Sequence, residues 1–86
     1  MAVVLIARAP SRNAYEAVHQ EVGGVAAGLI VHTASEVDGK VRIVEVWESR
    51  QHLDEFIQTK LGPVLETLDG EIDPPELTET FSIERA

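Results

Sequence analysis

His32 and Glu45 fall at matching positions on either side of an Asp38-Gly39 dipeptide, and an imidazole beside a carboxylate is a combination that moves protons. The carboxylate favours the imidazolium and fixes which ring nitrogen carries hydrogen, which suits general acid–base work near neutral pH. Trp47 follows Glu45 one same-face position along, while Tyr15 and His19 stand one helical turn apart earlier in the chain. These types and spacings make His32 and Glu45 the candidate catalytic pair, with Trp47, Tyr15 and His19 as candidate substrate-binding groups. The same pair could also serve only as a satisfied polar contact in a partly buried sheet.

Whether the two side chains meet depends on a hairpin. Asp-Gly between two apolar runs is a strong signal for a tight primed turn, because that turn needs φ > 0. A two-residue turn pairs Val37 with Lys40 and, counting outward, His32 with Glu45 and Ile30 with Trp47. Ile30, His32, Ala34, Ile43, Glu45 and Trp47 then share one face, and Val31, Thr33, Val44 and Val46 share the other. One added bulge residue near the turn would instead set His32 against Val44.

The remaining elements follow from periodicity. Residues 2–8 form an apolar first strand closed by Pro10. Ser11 or Asn13 caps a first helix, on which Tyr15, Val18 and Val22 make one stripe until Gly23-Gly24. Ser49 caps a second helix, where Leu53, Phe56, Ile57, Leu61, Val64, Leu65 and Leu68 keep a helical period to Gly70. Pro63 should kink or split that helix near Leu61-Gly62. Residues 71–76 read as a stiff loop, and 77–84 as a last strand carrying Leu77, Phe81 and Ile83. His52 falls in the first turn of the second helix, where exposure is expected.

The order is βαββαβ, an α+β ferredoxin-like arrangement over residues 1–86 as one domain. It has a four-stranded antiparallel sheet with two helices on one face. The opposite face is apolar where water would demand alternation. A second copy packed sheet against sheet is therefore expected, giving a homodimer.

Composition narrows the partners. A net charge of −8 over 86 residues argues against nucleic acid and anionic membranes, which need a basic footprint. No cysteine is present, so disulfides, thiolate metal sites and thiol catalysis are excluded. No zincin-type pair of histidines, no phosphate-binding glycine pattern and no nucleophile elbow occurs, and no serine has a recognisable base beside it in sequence. The apolar start lacks a basic leader and is too short for a membrane span, so a cytoplasmic protein is the expectation.

The run Val44-Glu45-Val46-Trp47-Glu48-Ser49-Arg50, followed by Leu53-Asp54-Glu55-Phe56, resembles the strand-three-to-helix-two signature of the antibiotic biosynthesis monooxygenase-like family, within the dimeric α/β-barrel superfamily. The resemblance extends over nearly the whole chain. It implies a pocket between helices and sheet in each subunit, and two sheets packed into a barrel. The superfamily includes cofactor-free oxygenases of aromatic polyketides, haem degraders and lactone isomerases. Trp47 matches the strand-three tryptophan of the haem degraders. Their strand-one asparagine falls around Ala7, and their helix-two histidine falls within 64–68, where this chain has neither.

The resemblance therefore implies a cofactor-independent monooxygenase-like homodimer acting on a small aromatic or conjugated substrate, with no metal. An isomerase or cyclase using the same pair is the alternative within enzymes. A non-catalytic small-ligand-binding or interaction protein is the alternative outside them.

Overall fold

Asp38 and Gly39 both take positive φ, 51° and 79°, and build the tight turn that joins β2 (Leu29–Val37) to β3 (Lys40–Trp47). The computed structural model describes residues 1–23, 26–66 and 74–85. β1 (Ala2–Ala9) and β4 (Glu76–Thr80) complete one antiparallel sheet in the order β2-β3-β1-β4. α1 (Arg12–Val22) lies between β1 and β2. The helical run Arg50–Phe56 (α2), a wider π turn over Ile57–Leu61 and Gly62–Glu66 (α3) lies between β3 and β4. The βαββαβ order read from the sequence is the observed one.

The register agrees with the two-residue turn: Val37 faces Lys40 and His32 faces Glu45. It departs at the far end, where a bulge between Leu29 and Val31 sets Leu29, not Ile30, opposite Trp47. Leu29 takes the core position expected for Ile30, and Ile30 instead lines a depression with Val31 and Val46. Gly28, at φ 86°, begins this departure. An added Cβ there would lie 2.3 Å from the His52 ring, so only glycine lets that ring sit against the strand entry. His52 is accordingly half-buried rather than exposed.

The core lies between sheet and helices. Val3, Leu5, Trp47 and Leu53 are buried, and Ala7, Leu29, Phe56, Ile57 and Leu77 pack around them. The Trp47 and Phe56 rings meet at 5.1 Å between centroids. α1 contributes no fully buried residue. Its cap is Ser11, whose hydroxyl accepts from the Ala14 N–H at 3.1 Å, so the Asn13 cap is not used. Ser49 caps α2 in the same way, accepting from the His52 N–H at 3.2 Å.

On the open face two cross-strand rows run through the sheet, Val31–Val46–Val4–Thr78 and Thr33–Val44–Ile6–Glu76. Five of these eight side chains are large aliphatics, and Val31 is 43% exposed. β4 stops at Thr80, so Phe81 and Ile83 lie beyond the strand, and Phe81 is 95% exposed. The strand expected over 77–84 is shorter because Thr80 already pairs with Ala2, the first residue of β1, and no further strand remains for Phe81 to pair with. Gly24, Leu68, the stop at Gly70 and residues 71–73 of the expected loop lie outside the described residues.

Pro63 acts one turn earlier than a simple kink. It has no N–H to donate, and its ring would press on the carbonyl four residues back. The helix widens before it, and the Gly62 N–H bonds to the Ile57 carbonyl, five residues back. A Cβ on Gly62 would lie 2.7 Å from that carbonyl oxygen. Gly→Ala inside a helix ordinarily stabilises by roughly 0.5–1 kcal/mol. Gly62→Ala is expected to reverse that sign and destabilise by about 1–3 kcal/mol, read by urea denaturation. A rise in stability would show that the π turn does not depend on this glycine.

Candidate functional site

Glu45 lies on the helix-facing side of β3, beside Trp47 and opposite His32, so strand register alone brings these three together. The residue is buried, and each of its carboxylate oxygens meets a donor. Trp47 Nε1–H donates to Oε1 at 3.0 Å, and His32 Nδ1 meets Oε2 at a short 2.5 Å. The indole has no acceptor role, so the carboxylate accepts there. With Nδ1–H donating to the second oxygen, a neutral His32 has Nε2 free to accept. We assign the Tyr15 hydroxyl as donor to Nε2, at 2.6 Å. The result is a chain from the buried indole through carboxylate and imidazole to a phenol.

Tyr15 comes from α1, whose register places His19 one turn on. Both rings lie against His32. The Tyr15 and His32 planes are within 15° of each other with centroids 6.0 Å apart, and His19 is 5.4 Å from each. α1 thus meets this part of the sheet through rings and one hydroxyl. Burial is the main cause holding the Tyr15 phenol above its ordinary 10.0, with the Glu45 and Glu16 carboxylates adding to it. The phenol stays protonated through the physiological range.

The structure brings all five candidates into one connected cluster. Their exposures differ. Trp47 is fully buried, so it holds Glu45 and packs on Phe56 without reaching solvent. The His32 side chain is about one quarter exposed, and His19 is exposed. A cleft of ≈ 240 Å³ opens between the start of α1 and the turn-proximal half of the β2–β3 hairpin, with Tyr15 in its wall. Among the described residues no cluster of His, Cys, Asp and Glu could hold a metal ion. Sequence reasoning placed Ser49 as the cap of α2 but passed over its contact with His52, whose Nδ1 lies 2.7 Å from the hydroxyl. The Ser-x-x-His spacing at a helix start was the available signal. That contact closes the cap of α2.

No protein-family model matches the chain, and no curated protein matches it in sequence. Solved structures do share its fold. One is a protein of Chloroflexus aurantiacus J-10-fl provisionally described as an antibiotic biosynthesis monooxygenase. It aligns at TM-score 0.73 and 16% identity, over 98% of this chain and 97% of its own. Rv0793 from Mycobacterium tuberculosis aligns at TM-score 0.71 and 22% identity, over 100% and 99%. A conserved protein from Methanosarcina mazei Go1 aligns at TM-score 0.65 and 16% identity, over 94% of each chain. At these identities the likeness is one of fold, the ferredoxin-like βαββαβ sheet with helices on one side.

Tyr15 is the chain's one tyrosine, so its ionisation can be followed directly. A folded-state value above 10.0 means that its stabilising contribution is complete below the unfolded value and is lost as pH rises through the folded one. An alkaline absorbance titration is expected to give a midpoint above 10.0 in the native protein. Glu45→Gln should move it part of the way down, because burial remains. A native midpoint at or below the ordinary value would mean that the phenol is not enclosed against His32.

Proposed function

We propose that the chain is a cofactor-independent monooxygenase-like enzyme acting on a small aromatic or conjugated substrate, with His32 as its acid–base centre. The observation that carries this reading is the short His32–Glu45 contact with the Trp47 indole on the other oxygen. A carboxylate so held is aimed at Nδ1, leaving Nε2 as the proton-transferring nitrogen. The description of the Chloroflexus protein supports the same class. In this reaction His32 receives a proton from an activated C–H of the substrate. The resulting carbanion adds O₂ as a peroxide, which is protonated and loses water to leave a ketone. The balance is one CH₂ and one O₂ consumed, one C=O and one H₂O formed.

We also propose that the working form is a homodimer joined through the open sheet face. The two aliphatic rows on that face support it, since each large aliphatic side chain left in water forfeits roughly 1.5–3 kcal/mol. Among the described residues no helix is long and apolar enough to cross a membrane.

Oxygen uptake with hydroxylated aromatic substrates of one to three rings tests the reaction. Uptake by the parent and a fall of about 10²–10⁴-fold in His32→Ala is expected, the usual share of general acid–base catalysis. Conversion of substrate without oxygen consumption would favour an isomerase or cyclase, and no conversion at all would favour a binding protein. Light scattering at micromolar concentration tests the assembly. A mass twice 9.4 kDa is expected for the parent and a single chain's mass for Val46→Lys. A folded, monomeric parent would overturn the sheet-to-sheet pairing.

A further inference from the structure

Of the four connected residues Trp47, Glu45, His32 and Tyr15, only Tyr15 borders the ≈ 240 Å³ cleft beside α1. Its hydroxyl also occupies His32 Nε2, the nitrogen that acid–base work needs. A molecule in the cleft therefore meets Tyr15 before the imidazole. The cleft is floored by Ala34 and Val41, and Arg12, Glu16 and Glu36 stand around it. We propose, resting on the acid–base reading above, that substrate reaches His32 through Tyr15. We infer further that the cleft takes a small one-ring phenol or enol bearing no carboxylate.

The step balances within the residues present. A hydroxyl both donates and accepts. The substrate's O–H or C–H proton passes to the Tyr15 oxygen while the Tyr15 proton passes to His32 Nε2. Tyr15 ends neutral, His32 ends as the imidazolium beside the Glu45 carboxylate, and the substrate ends as its conjugate base. Burial of the phenol and the two nearby carboxylates oppose a standing phenolate, so Tyr15 passes the proton on without keeping the charge.

Size and charge set the class. The cleft is smaller than the ~300–1,000 Å³ of sites for drug-sized ligands, which suits one ring rather than three. The Arg12 guanidinium is engaged by Glu16 at 3.1 Å, and Glu36 adds a further negative charge at the rim. The chain as a whole carries −8. An incoming anion is repelled, and a neutral or cationic phenol is not.

Tyramine and 4-hydroxyphenylacetate carry the same ring and opposite charges, so titrating each into the full chain by NMR tests the proposal. Tyramine is expected to shift the Ala34 and Ser35 amides and the His32 ring signals, and to bind at least threefold more tightly than the acid. Glu36→Gln, a surface change, should narrow that preference. Ala34→Leu should abolish binding. Tyr15→Phe should keep the amide shifts but lose the His32 response, with amide spectra away from the cleft superimposing on the parent's. No shifts with millimolar tyramine, or binding unaffected by Ala34→Leu, would overturn the site. An unchanged His32 response in Tyr15→Phe would overturn the relay. Oxygen uptake is scored separately: uptake without tyramine binding removes this inference alone, and tyramine binding with a His32 response but no uptake removes the oxygenase reading alone.

Discussion

The Glu45 carboxylate is the constraint around which the rest of the molecule is arranged. A carboxylate taken out of water is tolerated only when its oxygens find donors, and here the Trp47 indole and the His32 imidazole supply one each. Trp47 can do so only because it is itself immobilised against Phe56 in the core beside Leu53 and Val3. His32 can do so only because β2 and β3 pair in one register. The buried polar chain and the hydrophobic core are therefore one structure, and a change in either reorients the other. Among the described residues, no buried side-chain nitrogen or oxygen lacks a partner.

Seen this way, the two helical segments have unequal tasks. α2 and the π turn supply Leu53, Phe56 and Ile57 to the core and clamp Trp47 from above. α1 buries none of its residues fully and meets the sheet site through the Tyr15 hydroxyl and stacked rings. A helix held by a few polar and aromatic contacts opens at lower cost than one seated in a core. The reactive end of the proton chain sits under the more weakly held helix. The rigid end sits under the more firmly held one.

Much of this was legible in the chain. Asp38-Gly39 announced its own turn, since both positions need positive φ, and that turn alone dictated that His32 and Glu45 meet. Ser11 and Ser49 marked helix starts through a hydroxyl that can accept a backbone N–H. Pro63 announced a disturbance, though not that it would be absorbed as a wider turn with Gly62 against Ile57. The bulge at Ile30 was not legible, and neither was the packing beside it, where the His52 ring, far along the chain, lies against Gly28. Nor was the Tyr15–His32 hydrogen bond, which depends on how α1 rotates over the sheet. Periodicity put Tyr15 and His19 on one helix face, but only packing decides which hydroxyl reaches which nitrogen. The end of β4 at Thr80 was likewise masked by apolar residues that continue the pattern without pairing.

One junction ties these parts together. The Gly28 carbonyl accepts the Glu48 N–H at 2.8 Å, and the His52 ring rests on the same glycine. The entry to β2, the exit from β3 and the first turn of α2 are thus stapled at a point, whereas a Cβ at Gly39 at the opposite tip meets open space. The hairpin has a pinned root and a free tip. The root already absorbs one irregularity, between Leu29 and Val31, without parting the imidazole from Glu45, so the ladder that runs from the turn to His32 is the stretch whose length cannot change.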